Sequence, residues 1–182
     1  MIRGYGGNDK LFGDAGDDKI YGGLGNDLMK GGEGDDLLPG YGGDDTIYGD
    51  DGDDEIRGQN GDDDIYGGDG DDNINGQNDN DDIWAGAGND YVKGGGAGDV
   101  IRGEEGDDIL IGGDFIGGFP NLNEADYDWI YGGTGDDALF GQIGADEGML
   151  FGGDGHDYIK GGKRSTDSKI WGGSGDDFIR SG

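Results

Sequence analysis

The chain has 182 residues, of which 49 are glycine, 43 are acidic and 12 are basic, giving a net charge of −31 with 30% hydrophobic residues. Charge repulsion and glycine entropy both oppose collapse of such a composition, and the charge excludes nucleic acid as a partner. There is no cysteine for a disulfide scaffold, and no apolar run near the roughly 20 residues that span a bilayer.

Read from its start, the chain is a repeat. Met1-Ile2-Arg3 fits the last three positions of a nine-residue pattern, Gly-x-x-Gly-[Asp/Asn]-Asp-x-aliphatic-x, which then runs from Gly4 to Ile111 in twelve unbroken copies. The thirteenth copy, 112–131, carries eleven extra residues around Asp114 to Tyr127, and the fifteenth and seventeenth carry two each. The eighteenth ends at Arg180, and Ser181-Gly182 begins another. Repeats over 4–180 predict a single domain, 1–182, cut from a longer repeat protein, because solenoids carry atypical capping repeats at their ends.

Within each copy the first six residues are turn formers and the last three point outward, inward, outward, as in Lys19-Ile20-Tyr21 or Glu55-Ile56-Arg57. This predicts a three-residue strand. Glycines at positions one and four are expected to supply positive φ. Position eight is aliphatic in every copy, from Leu11 and Ile20 to Ile170 and Ile179, and is the predicted core. So short a strand buries nothing alone. The fold that satisfies the period is an all-β parallel β-roll, a β-solenoid with two short strands and two turns per 18-residue coil. About nine coils at about 4.8 Å each give a length of roughly 43 Å.

Position six is aspartate in nearly every copy. Turn chemistry alone would accept Asn or Ser, and carboxylates stacked at about 5 Å repel one another. The pattern therefore asks for small cations held one per repeat. Calcium takes six to eight oxygen ligands in adaptable geometry, whereas magnesium demands a strict octahedron. Zinc lacks ligands, since His156 is the one histidine and sits at the variable position five, where it reads as filler.

Gly22-Gly23-Leu24-Gly25-Asn26-Asp27-Leu28-Met29-Lys30 and Gly67-Gly68-Asp69-Gly70-Asp71-Asp72-Asn73-Ile74-Asn75 match the motif Gly-Gly-x-Gly-x-Asp-x-U-x. In these residues the chain resembles the RTX (repeats-in-toxin) nonapeptide family over essentially its whole length. The resemblance implies a right-handed roll with calcium-binding turns and a metal-ligand set of Asp9, Asp18, Asp27, Asp36, Asp45, Asp54, Asp63, Asp72, Asp81, Asp90, Asp99, Asp108, Asp128, Asp137, Asp146, Asp157 and Asp177. It implies up to about 16 Ca2+ ions between successive turns, and folding at roughly millimolar calcium after export as an unfolded chain. It also implies a secreted or cell-surface bacterial protein that the roll supports. Weak sites are expected where Asp79 and Ala97 replace the position-four glycine and where Ala85 replaces the position-one glycine. In the seventeenth copy, Lys163-Arg164-Ser165-Thr166-Asp167-Ser168 replaces the loop, so its site is expected to be missing or rebuilt around Asp167.

Sorting position nine by sheet puts Phe12, Lys30, Tyr48, Tyr66, Trp84, Arg102, Tyr131, Phe151 and Trp171 on one face. Tyr48, Tyr66, Trp84, Tyr131 and Trp171 are candidates for stacking on a polysaccharide or packing on a partner domain. Mutual stabilisation along the sheet is the alternative. Ice is a poorer ligand, because the chain has three threonines and no regular outward row of them. Every length irregularity falls in an odd copy and therefore on one edge, and no nucleophile, base and orienting group recur together, so no catalytic site is expected.

Overall fold

A computed structural model describes residues 1–113, 128–141, 148–162 and 169–180. Among these residues nineteen strands follow one another: β1 (Ile2–Gly6), β2 (Lys10–Ala15), β3 (Ile20–Leu24), β4 (Leu28–Glu33), β5 (Leu37–Gly42), β6 (Thr46–Asp51), β7 (Glu55–Asn60), β8 (Asp64–Asp69), β9 (Asn73–Asn78), β10 (Asp82–Ala87), β11 (Tyr91–Gly95), β12 (Val100–Glu105), β13 (Ile109–Gly113), β14 (Trp129–Thr134), β15 (Ala138–Phe140), β16 (Met149–Asp154), β17 (Tyr158–Lys160), β18 (Lys169–Ser174) and β19 (Phe178–Arg180). Odd-numbered strands form a ten-stranded sheet and even-numbered strands a nine-stranded one. Every pairing is parallel and joins equivalent repeat positions, as in Ile2↔Ile20 and Ile83↔Ile101. The step of 18 residues becomes 29 across the long insertion and 20 beyond it. This is the expected parallel β-solenoid.

Most strands are five or six residues long, not three. They begin at position seven and run through positions one to three of the next copy, because the parallel ladder resumes there. Between β10 and β12, for example, Gly86 pairs with Glu104 and Ala87 with Glu105. Pro39 lacks an N–H, and the β3–β5 ladder beside it is reduced to Gly23↔Tyr41 and Leu24↔Gly42.

The position-eight side chains meet between the sheets. From Ile20 to Leu139 they are fully buried, Leu150 and Ile159 continue the row, and Ile2 and Ile170 pack partly against it. Each such side chain contributes about 1.5–3 kcal/mol when fully buried. A core one residue wide per strand is thus sufficient only as a stack.

Left-handed backbone falls at positions two and four, not at one and four. Position four is Gly7, Gly16, Gly25 and their equivalents, with Asp79 (φ 71°) and Ala97 (φ 77°) keeping the same conformation. Position two is left-handed even where it is Tyr5, Asp14, Tyr41, Asp50, Gln59, Gln77 or Glu104. Position-one glycines are needed for space instead. A Cβ on Gly22 would lie 2.6 Å from the Gly40 carbonyl oxygen and 2.7 Å from Asp27 Oδ2.

Candidate metal centre

The turn between strands turns the position-six side chain inward, into the room that the position-one glycine of the same copy leaves free. Its Oδ1 accepts the position-six N–H of the preceding coil. On one edge Asp9 donates to Asp27 (2.8 Å), Asp27 to Asp45 (2.8 Å), Asp45 to Asp63 (2.8 Å), Asp63 to Asp81 (3.0 Å), Asp81 to Asp99 (3.0 Å) and Asp99 to Asp128 (3.2 Å). On the other, the same bond runs from Asp18 through Asp36, Asp54, Asp72, Asp90, Asp108, Asp137 and Asp157 to Asp177, at 2.7–3.1 Å.

Oδ2 of the same carboxylates has no such partner. In fourteen of them, Asp9, Asp27, Asp36, Asp45, Asp54, Asp63, Asp72, Asp81, Asp90, Asp99, Asp108, Asp128, Asp137 and Asp157, it is buried without a hydrogen bond. The space it enters is bordered by the position-one carbonyl of the next coil. A Cβ on Gly31 would collide with Asp36 Oδ2 and lie 2.6 Å from the Gly49 carbonyl oxygen, and one on Gly103 would collide with Asp108 Oδ2 and the Gly132 carbonyl oxygen. An ionised carboxylate and a carbonyl are both acceptors, so each space holds two kinds of electron-rich oxygen and needs a proton or a cation. Ala85 places one Cβ in this row, and Asp90 Oδ2 stays buried without a partner beside it.

The electrostatics record the same deficit. Burial pushes the carboxyls of Asp45 and Asp108 up to about 6, those of Asp54, Asp63, Asp90 and Asp137 to about 7, and those of Asp72 and Asp81 to about 8. The backbone N–H from the preceding coil opposes the shift, and neighbouring carboxylates add to it. Asp36 and Asp157 are raised for the same reasons. Among the described residues no three acidic, histidine or cysteine side chains converge on one point. Any ion on this column therefore draws most of its ligands from backbone carbonyls, a donor set suited to a hard cation such as calcium.

Position five forms a second ladder that the sequence reading treated as variable loop. Its side chain leans forward and accepts the position-five N–H of the following coil, as in Asn26 to Asn8 (3.0 Å), Asp71 to Asp53 (2.8 Å) and Asn89 to Asp71 (2.7 Å). The signal was present in the Asp/Asn preference at that position. His156 fits this role. Its N–H donates to Asp136 Oδ1 (2.7 Å), and its Nδ1 accepts from the Asp176 N–H (2.9 Å). Asp79 Oδ2 accepts from the Gly61 N–H on the preceding coil (3.1 Å). Asp146 and Asp167 lie outside the described residues.

The outward row on the nine-stranded sheet stacks as the sorting by face predicted. Ring centroids are 4.7 Å apart for Tyr48–Tyr66, 4.6 Å for Tyr66–Trp84, 4.8 Å for Tyr131–Phe151 and 4.5 Å for Phe151–Trp171, with planes within 8°. Lys30 Nζ lies 4.1 Å from the Tyr48 centroid and the Arg102 guanidinium 4.6 Å from that of Trp84. Both faces of Tyr48, Tyr66 and Trp84 are thus covered by ring or cation, and only ring edges point outward. A sugar stacks on a ring face, so the geometry favours mutual stabilisation over the polysaccharide platform.

An all-β solenoid with a buried carboxylate column along its turns defines a metal-binding repeat protein. The family model for the RTX calcium-binding nonapeptide repeat, four copies long, matches residues 3–38, 30–64, 39–74, 57–92, 84–116, 124–147, 149–163 and 165–182. The chain belongs to this family, whose repeats are calcium-binding structural modules. No match was found among curated proteins.

Proposed function

We propose that this chain is a calcium-gated module of a secreted or cell-surface bacterial protein, which folds on meeting calcium and stabilises the protein that carries it. The ligands would be the Oδ2 atoms of the position-six aspartates from Asp9 to Asp157, with Asp18 and Asp177 at the ends of their column, and the carbonyl oxygens of the glycine-rich turns. A bound ion supplies positive charge between two acceptors. The observation that carries the reading is the run of fourteen buried Oδ2 atoms with no donor. An unpaired buried charge costs several kcal/mol, and repeating that cost along a chain of charge −31 opposes folding without cations.

The chelator-treated protein, titrated with calcium and followed by far-ultraviolet circular dichroism, is expected to pass from coil to β at sub-millimolar to millimolar calcium. Magnesium is expected to fail at equal concentration. A β spectrum in chelator, unmoved by calcium, would sink the reading.

A further inference from the structure

One repeat builds two faces of opposite charge. The strands of the ten-stranded sheet contain five basic residues, Arg3, Arg57, Lys93, Lys160 and Arg180, and one acidic residue, Glu55. Those of the nine-stranded sheet contain four basic residues and ten acidic ones. One face thus carries a surplus of four positive charges, in a chain whose net charge is −31, and the other a surplus of six negative ones.

The turn does not demand this split, because equivalent positions of the repeat carry it. At position two, the side chains that hold left-handed torsion are Asp14, Asp50 and Glu104 on the nine-stranded sheet and Tyr5, Tyr41, Gln59 and Gln77 on the ten-stranded one. Glycine takes that torsion without strain, so these side chains are held there for what they present. At position three the nine-stranded sheet exposes Glu33, Asp51, Asp69, Glu105 and Asp154, where β1 to β9 of the other sheet have only glycine, leucine and asparagine.

The basic face also has the make-up of an interface. Tyr5, Leu24, Tyr41, Tyr91, Tyr158 and Phe178 are each at least a third exposed on it, and tyrosine and arginine are enriched at protein interfaces while aspartate and glutamate are depleted. Tyr5 and Tyr41 wall a cleft over Gly23, with Arg3 beside it. The acidic face offers a complementary groove, in which Asp69, Glu104 and Glu105 stand beside the Tyr66 and Trp84 rings. Eight or nine steps of about 4.8 Å, with strands about 15 Å long, give each face roughly 600 Å². Two such faces in full contact bury about 1,200 Å², the lower end of the range for stable protein interfaces.

We propose that the basic face of one roll docks on the acidic face of a second copy. This rests on the calcium reading above, because bound ions remove the general repulsion of a chain of charge −31 and leave the difference between its faces to act. The contact is heterologous. It leaves one face of each kind free, so the rolls add into open stacks instead of closing as a dimer.

The test is sedimentation velocity at millimolar calcium, with far-ultraviolet circular dichroism on the same samples. The unsubstituted chain is expected to form species that grow with concentration beyond a dimer at about 0.05 M salt, and to return to β-rich monomer at about 1 M salt, where the screening length is about 3 Å. Two sets of substitutions weaken one face each: Arg3→Gln with Arg57→Gln and Lys160→Gln, or Asp64→Asn with Asp69→Asn, Asp82→Asn and Glu105→Gln. Each variant alone is expected to stay monomeric and β-rich. Mixed, they should form a one-to-one pair that grows no further, since each supplies the face the other has lost. A β-rich monomer at every concentration, a closed dimer indifferent to salt, or a mixture no larger than its parts would overturn the inference and leave the calcium reading intact. Monomers that bind polyglutamate through the basic face would assign that face to an acidic partner of another kind and overturn it equally. A chain that stays coil in calcium would overturn both the inference and the calcium reading.

Discussion

Positions one and two of the repeat do different physical work, and single substitutions separate them. Gly22 has no left-handed torsion, yet its missing Cβ leaves room for the Gly40 carbonyl oxygen and Asp27 Oδ2. Both are rigidly placed, so Gly22→Ala should overpack the interior and cost about 1–3 kcal/mol. Position two is the reverse case. Gln77 holds φ at 86°, a conformation that costs a side-chain-bearing residue about 1–2 kcal/mol, so Gln77→Gly should gain about 1 kcal/mol. Denaturant unfolding at saturating calcium measures both, and effects of the same sign would refute the distinction. The sequence keeps position one as glycine in every copy but that of Ala85 while position two also takes Tyr, Asp, Gln and Glu, yet it does not say which of the two carries the left-handed torsion. The interior oxygen that excludes a Cβ comes from a neighbouring coil eighteen residues away.

At the level of the strand, the inward position was legible in Lys19-Ile20-Tyr21 and its equivalents, since the middle residue of each triplet is always aliphatic while its neighbours vary, and a strand can bury only one face. The sorting of position nine onto two sheets followed from the same period. Strand length was not legible, because Gly-Gly-x reads locally as turn and its pairing with the next coil is a stacking property. The use of the aromatic row was also beyond sequence, which places rings on a face but does not orient them. Tyr66 is sandwiched at 4.7 and 4.6 Å between Tyr48 and Trp84, and each such pair is worth about 0.5–1.5 kcal/mol beyond area burial. Tyr66→Ala is therefore expected to destabilise the calcium-loaded roll by about 1–3 kcal/mol and to alter Trp84 fluorescence. Tyr21→Ala is the comparison on the opposite sheet, where Tyr21 and Tyr41 stand 6.4 Å apart, and it should cost less. Equal losses would show that the stack contributes no more than ordinary surface packing.

Over the whole molecule, the proposed calcium sites set protons and calcium in competition for one set of oxygens. Burial raises the carboxyls of Asp45, Asp54, Asp63, Asp72, Asp81, Asp90, Asp108 and Asp137 to between about 6 and about 8 in the metal-free roll, against 3.8 when unperturbed. Their folded-state affinity for protons exceeds that of the unfolded chain, so their contribution to metal-free stability is fully present below about pH 4 and is lost as pH rises through 6 to 8. Acid should then promote the metal-free roll, the opposite of ordinary acid denaturation, where paired carboxylates are lost. The chain's low pI of about 4.1 sets a practical floor, and pH 5.5 already lies inside the window. Calcium-depleted protein is expected to show more β signal at pH 5.5 than at pH 8, and the calcium concentration at the folding midpoint should rise between those values, because protons no longer stabilise the folded sites and calcium must do so alone. The two trends are coupled through the same Oδ2 atoms. A midpoint independent of pH, with a metal-free chain equally unfolded at both values, would mean that the buried carboxylates do not govern folding and that the charge of −31 acts only through its surface repulsion.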